Sequence, residues 1–160
     1  MPHDCGLRVV YEGVYDQMIC ESITPETSPR QSFTELGIAD VAEMIALVEL
    51  TQPGPFAEHT IQLGRYIGVR ENGRLVAMAG ERARIHGHRE MSAVCTHPDA
   101  RRRGLAETLV RELVTSALAD GEAPFLHVRC DNDTARRLYQ RTGFTVRRRM
   151  TVKAVQRNPD

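Results

Sequence analysis

The stretch Val94-Cys95-Thr96-His97-Pro98-Asp99-Ala100-Arg101-Arg102-Arg103-Gly104-Leu105-Ala106 decides how this chain folds. It opens with residues suited to a strand end. Pro98 and Asp99 interrupt the strand, and three arginines lead to Gly104, where a helical apolar pattern starts. A tight, glycine-containing turn from strand to helix leaves several backbone N–H groups with no helical carbonyl to bond. Those donors, the positive end of the helix dipole and the adjacent arginines make an anion site suited to a pyrophosphate. The same residues also describe an ordinary basic helix start, and Arg-x-x-Gly-x-Ala is too short to choose between the two. The surrounding sequence carries the choice.

Upstream of the turn, residues 89–96 read as a strand. Before it, Asn72-Gly73, the preferred two-residue hairpin turn, joins strands at 65–69 and 75–80. His86 and His88 flank a glycine and have no third ligand near them, which favours a hairpin turn over a metal site. Downstream, Leu105, Leu109, Val110, Leu113, Val114, Ala117 and Leu118 share one helical face, and the helix ends before Gly121. A short strand at 125–130, a short helix at 133–141 closed by Gly143 and a strand region at 144–155 follow. Toward the N-terminus stand a strand at 16–21 and a proline-containing loop at 24–32. A helix from Asp40 carries Val41, Met44, Ile45 and Val48 at helical spacing, and Pro53-Gly54-Pro55 stops it. The order predicts a mixed α+β fold, a mixed sheet with helices packed against it.

At 160 residues the chain is expected to form one domain over 1–160. Its hydrophobic content of 41% and charged content of 26% are those of an ordinary globular protein. No apolar run has the length of a membrane span, and the N-terminus lacks the pattern of a signal peptide, so the expected location is cytoplasmic, with no membrane partner. Cys5, Cys20, Cys95 and Cys130 show no Cys-x-x-Cys spacing, which argues for reduced thiols and against a zinc site. The formal net charge is zero, yet residues 1–60 carry −8 and the rest +8. Almost no aromatics interleave with the arginines, so an anionic cofactor explains the basic half better than a nucleic acid does.

Two separated motifs resemble the GNAT superfamily, the N-acetyltransferases that use acetyl-CoA. One is Arg101-x-x-Gly104-x-Ala106 after a strand. The other, Asn132-Asp133-Thr134-Ala135-Arg136-Arg137-Leu138-Tyr139-Gln140-Arg141-Thr142-Gly143-Phe144 after the next strand, looks like the family's Asn…Leu-Tyr…Gly-Phe signature. The match covers about residues 37–150, and the whole chain looks closest to the glycine N-acyltransferase-like branch. The resemblance implies a central, mostly antiparallel sheet splayed between two parallel strands, here 89–96 and 125–130, with helices on both faces. It implies that Val94, Cys95 and Thr96 meet the acetyl group and pantetheine. Arg101, Arg102, Arg103, Gly104, Leu105, Ala106 and Glu107 would surround the pyrophosphate, chiefly through backbone N–H groups; Gly is common where Ala106 stands, and Ala is an accepted variant.

Acetyl transfer to an amine needs a neutral amine, a polarised carbonyl and a proton for the departing thiolate. Tyr139 is the candidate acid, and Asn132, two helical turns before it, is a candidate cofactor ligand. The plainer roles are a core tyrosine beside Phe144 and a helix cap. Glu90 stands eleven residues before Arg101, where related histone acetyltransferases carry their catalytic glutamate, and strand alternation puts Glu90, Ser92 and Val94 on one face. His127, five residues before Asn132, is the rival base. Cys95 and Cys130 are expected to face each other across the splay as packing residues, because direct attack needs no acyl-enzyme. The acceptor is an amine, small or on a protein or peptide. The residues around 40–50, the 53–56 loop and His59 are expected to shape its pocket. A homodimer, and a cofactor-binding module of the same fold without catalysis, stay open.

Overall fold

The computed structural model describes residues 7–23 and 32–157. Cys5, the first four residues and most of the predicted 24–32 loop lie outside them. The elements run β1 (Leu7–Ile19), β2 (Thr34–Leu36), α1 (Val41–Thr51), β3 (Tyr66–Glu71), β4 (Arg74–Ile85) and β5 (His88–Thr96). Then come α2 (Leu105–Ala119), β6 (Ala123–Arg129), α3 (Asp133–Arg141) and β7 (Thr145–Arg157). The strands form one seven-stranded sheet in the order β2-β3-β4-β5-β6-β1-β7, antiparallel except for β5 against β6. This is the mixed, splayed sheet expected, with helices on both faces.

Local chemistry explains each element. Asn72 (φ 50°) and Gly73 (φ 79°) are both left-handed, the requirement of a type I′ turn, and they set the β3–β4 register. In α2, Leu105, Leu109, Val110, Leu113, Val114 and Ala117 are all buried. Burying each of its leucines and valines stabilises the fold by about 1.5–3 kcal/mol. The helix stops where Gly121 turns left-handed at φ 75°. The α2 stripe packs with Ile67, Val76, Met91, Leu126, Tyr139 and Phe144 on one face of the sheet. Helix α1 covers the other face, burying Val41, Met44, Leu47 and Val48 against Tyr66, Met78, Ala93 and Cys95. Among the described residues no helix is long and apolar enough to cross a membrane.

Three features depart from expectation. Strand β1 starts at Leu7 rather than near residue 16, because residues before Tyr15 pair with β7 alone, as a two-stranded ribbon that no buried alternation marks. Strand β2 has no mark in the sequence, because three residues are too few to show a period. Strand β5 does not alternate evenly. Its register with β4 slips between Gly80↔Ser92 and Met78↔Cys95, and Ala93 takes a left-handed φ of 53°. This bulge sends Val94 to the α2 face with Met91, while Ala93 and Cys95 join the α1 core. Val94 therefore does not share a face with Glu90.

Candidate active site

The ladder between β5 and β6 is short. It holds at His88↔Ala123, Arg89↔Pro124 and Glu90↔Phe125 and goes no further. Each strand is held on its outer side, β5 by β4 through Thr96 and β6 by β1 through Arg129. The two parallel strands therefore diverge into a wedge that opens at their carboxyl ends, where open α/β sheets bind ligands.

The turn at 97–104 stands at the mouth of that wedge. The His97 Nδ1 accepts a hydrogen bond from the Asp99 N–H at 3.2 Å and starts a 3-10 turn over Pro98–Ala100. Arg102 (φ 60°) and Gly104 (φ 77°) then take left-handed conformations before α2 begins. Gly104 offers no side-chain cap, so the first amides of α2 are left to an outside acceptor. A Cβ on Gly104 would meet nothing within 4 Å, so the space beside the turn is open to a phosphate. Two of the three arginines are already engaged. Arg103 grips Glu71 at 2.5 and 3.0 Å, and Arg101 donates to the Thr96 carbonyl at 3.3 Å. Leu105 is buried in the core, Ala106 is half-buried, and the Glu107 carboxylate accepts from Arg111 and Arg141. That leaves the uncapped backbone amides and the exposed Arg102 side chain as anion ligands at the turn.

At the apex of the wedge the structure joins the two rival bases. The Nδ1 of His127 lies 2.9 Å from Oε1 of Glu90. Arg82 on β4 donates to the same carboxylate at 2.5 and 3.3 Å. Glu90 is only 7% exposed. Burial alone would push its carboxyl up, but the hydrogen bonds from His127 and Arg82 outweigh it and hold the group below the ordinary carboxylate range. A carboxylate can only accept, so His127 presents a hydrogen on Nδ1 to Glu90, which in the neutral ring leaves the lone pair on Nε2. Gln17, opposite His127 in the β1–β6 register, reaches that Nε2 at 3.1 Å. The Phe125 ring meets the imidazole edge to face at 5.8 Å.

Tyr139 is 9% exposed and packs edge-on against Phe144, with ring centroids 5.8 Å apart. Burial holds its hydroxyl well above the ordinary tyrosine value, with Cys95 of β5 adding to the effect. Asn132 caps α3, its Oδ1 accepting from the Ala135 N–H at 3.1 Å. The two cysteines do not face each other. Cys95 lies in the α1 core, where burial pushes its thiol up to about 11. Cys130 donates at 3.3 Å to the fully buried Asp16, which Arg136 of α3 also pairs. Phe56, from the predicted pocket loop, packs edge-on against Tyr66, whereas His59 is exposed. Nothing in the sequence marks Arg82 or Gln17, since only the strand register shows what stands opposite them. Among the described residues no group of three or more potential metal ligands occurs.

The model of FR47-like proteins matches residues 66–152. No protein of curated function matches the chain. Among solved structures, a Novosphingobium aromaticivorans protein assigned to the GNAT family of acetyltransferases superimposes with a TM-score of 0.88. It is 42% identical, over 96% of this chain and 68% of that one. A GCN5-related N-acetyltransferase-like protein of Streptococcus suis gives 0.64 at 15% identity, over 96% of this chain and 64% of its own. A GNAT-family acetyltransferase of Colwellia psychrerythraea gives 0.70 at 13% identity, over 92% and 56%. The latter two share the fold alone. This chain spans about two thirds or less of each relative's length.

Proposed function

The chain belongs to the FR47-like family of GNAT acetyltransferases, and from that premise we propose that it transfers an acetyl group from acetyl-CoA to an amine by direct attack. The observation that carries the reading is the Glu90–His127 pair at the apex of a wedge whose mouth is lined by unsatisfied amides. Acetyl-CoA would supply the acyl group as a thioester, with CoA leaving as the thiol. The backbone N–H groups of residues 102–107 hold its pyrophosphate, helped by the positive end of α2. The site suits it: the turn is uncapped, left-handed at two positions and open beside Gly104.

The two candidate bases divide the work. His127 takes the proton of the amine on Nε2. Glu90, kept ionised by Arg82, holds the Nδ1 hydrogen and stabilises the imidazolium that forms. Tyr139, whose burial keeps it protonated, donates to the charge that develops on sulfur. Cys95, a protonated thiol in the core, has no part as a nucleophile. The acceptor is a small amine or a peptide or protein amine, and the location is cytoplasmic. Within the superfamily, the resemblance of the whole chain favours the glycine N-acyltransferase-like branch. The test is thiol release from acetyl-CoA across an amine panel. An active amine is expected, with Tyr139→Phe lowering kcat by about 10²-fold. Tight acetyl-CoA binding with no turnover on any amine would leave the non-catalytic module instead.

A further inference from the structure

A line of hydrogen bonds crosses five neighbouring strands, from Arg82 (β4) through Glu90 (β5), His127 (β6) and Gln17 (β1) to Arg147 (β7). The two ends of the line dictate where its hydrogens sit. A guanidinium only donates, so the Gln17 carboxamide turns its oxygen to Arg147, at 2.7 Å. Its NH2 is thereby aimed at His127 Nε2, 3.1 Å away. From the other side, Arg82 and the Glu90 carboxylate require a hydrogen on Nδ1. Both ends therefore call for the same tautomer, with Nε2 bare.

We propose that Gln17, itself oriented by Arg147, is a positioning residue that keeps His127 Nε2 as the proton-accepting nitrogen until an acceptor amine displaces the carboxamide. The proposal rests on the reading of His127 as the base. An incoming amine N–H takes the place of the Gln17 N–H, so the lone pair passes from one donor to the next without the imidazole rotating. The groups facing the ring are Glu90 from β5, Gln17 from β1 and Phe125 from its own strand, with Arg82 behind Glu90 and Arg147 behind Gln17. Glu90 is the one acid among them. The half-buried Gln17 and exposed Arg147 stand on the face of the sheet that α2 and α3 leave uncovered.

Nitrogen-15 NMR of the imidazole, assigned by its loss in His127→Gln, tests this without substrate. The wild-type ring is expected to show a protonated Nδ1 and a bare Nε2 above its titration. Gln17→Glu puts an acceptor where a donor stood, so the imidazolium should persist to a pH at least one unit higher, about tenfold in proton affinity. Gln17→Met removes the donor at similar volume and should move the midpoint up by a few tenths, about twofold. A protonated Nε2 in the wild-type ring, or a folded Gln17→Glu protein titrating with the wild type, would overturn the proposal. Loss of the base reading is separately visible: an active His127→Ala enzyme would remove it while leaving the tautomer result intact.

Discussion

The mouth and the apex of the wedge are made of different materials. The turn at 102–107 offers main-chain amides from consecutive residues, held in shape by two left-handed positions. The Glu90–His127 pair is made of side chains 37 residues apart, half or fully buried and held by partners on β4 and β1. A main-chain site tolerates side-chain exchange and fails when the backbone cannot take its conformation. A side-chain site has the opposite weakness.

The sharpest break in that contrast comes at the apex. His127→Ala should lower kcat by about 10³-fold, within the usual span of general-base catalysis, and remove the basic residue from the pH–rate profile. Glu90→Gln should cost about 10²-fold, because the charge that steadies the imidazolium is lost and the amide NH2 can turn to Nδ1 and favour the wrong tautomer. Since Glu90 ionises below the ordinary range, it remains a carboxylate at neutral pH and should add no titration of its own there. If Glu90→Gln proves the more damaging and His127→Ala keeps its rate, the two residues exchange roles.

At the mouth, Gly104→Val should weaken CoA binding by tenfold or more. Valine is strained at a φ of +77°, by about 1–2 kcal/mol, and its side chain would occupy the open space beside the amides. Calorimetry finding unchanged affinity in a folded variant would put the pyrophosphate elsewhere. The smallest effect is expected of Arg103→Gln, under twofold in CoA affinity, because its guanidinium is committed to Glu71. A tenfold loss there would mean that side-chain charge, rather than backbone geometry, holds the anion.

The same contrast explains what could be read in advance. The turn is contiguous, so Pro98, the arginines and Gly104 announced it directly, and the α2 stripe confirmed where the helix starts. Glu90 and His127 each stand out in the sequence, but as rivals, because spacing along the chain says nothing of the register that sets them 2.9 Å apart. The bulge at Ala93 was hidden for a related reason: alanine carries no mark of a left-handed conformation, so an even alternation through Val94 was the natural expectation. Gln17 and Arg82 needed the pairing of β1 with β6 and of β4 with β5 before they meant anything.

The insertion of β1 between β6 and β7 has a consequence for how the molecule is made. Leu7 pairs with Arg157 and Gln17 with His127 and Arg148, so β1 finds its partners only after β6 and β7, more than a hundred residues later, have been made. Contacts so distant in sequence are slow to close, since the loop entropy is lost before the pairing repays it. The hairpins β3–β4 and β4–β5 and helix α2 can form from local contacts, whereas the strands bearing His127 and Gln17 must wait. Assembly of the base is thereby tied to the long-range pairing of β1 with β6.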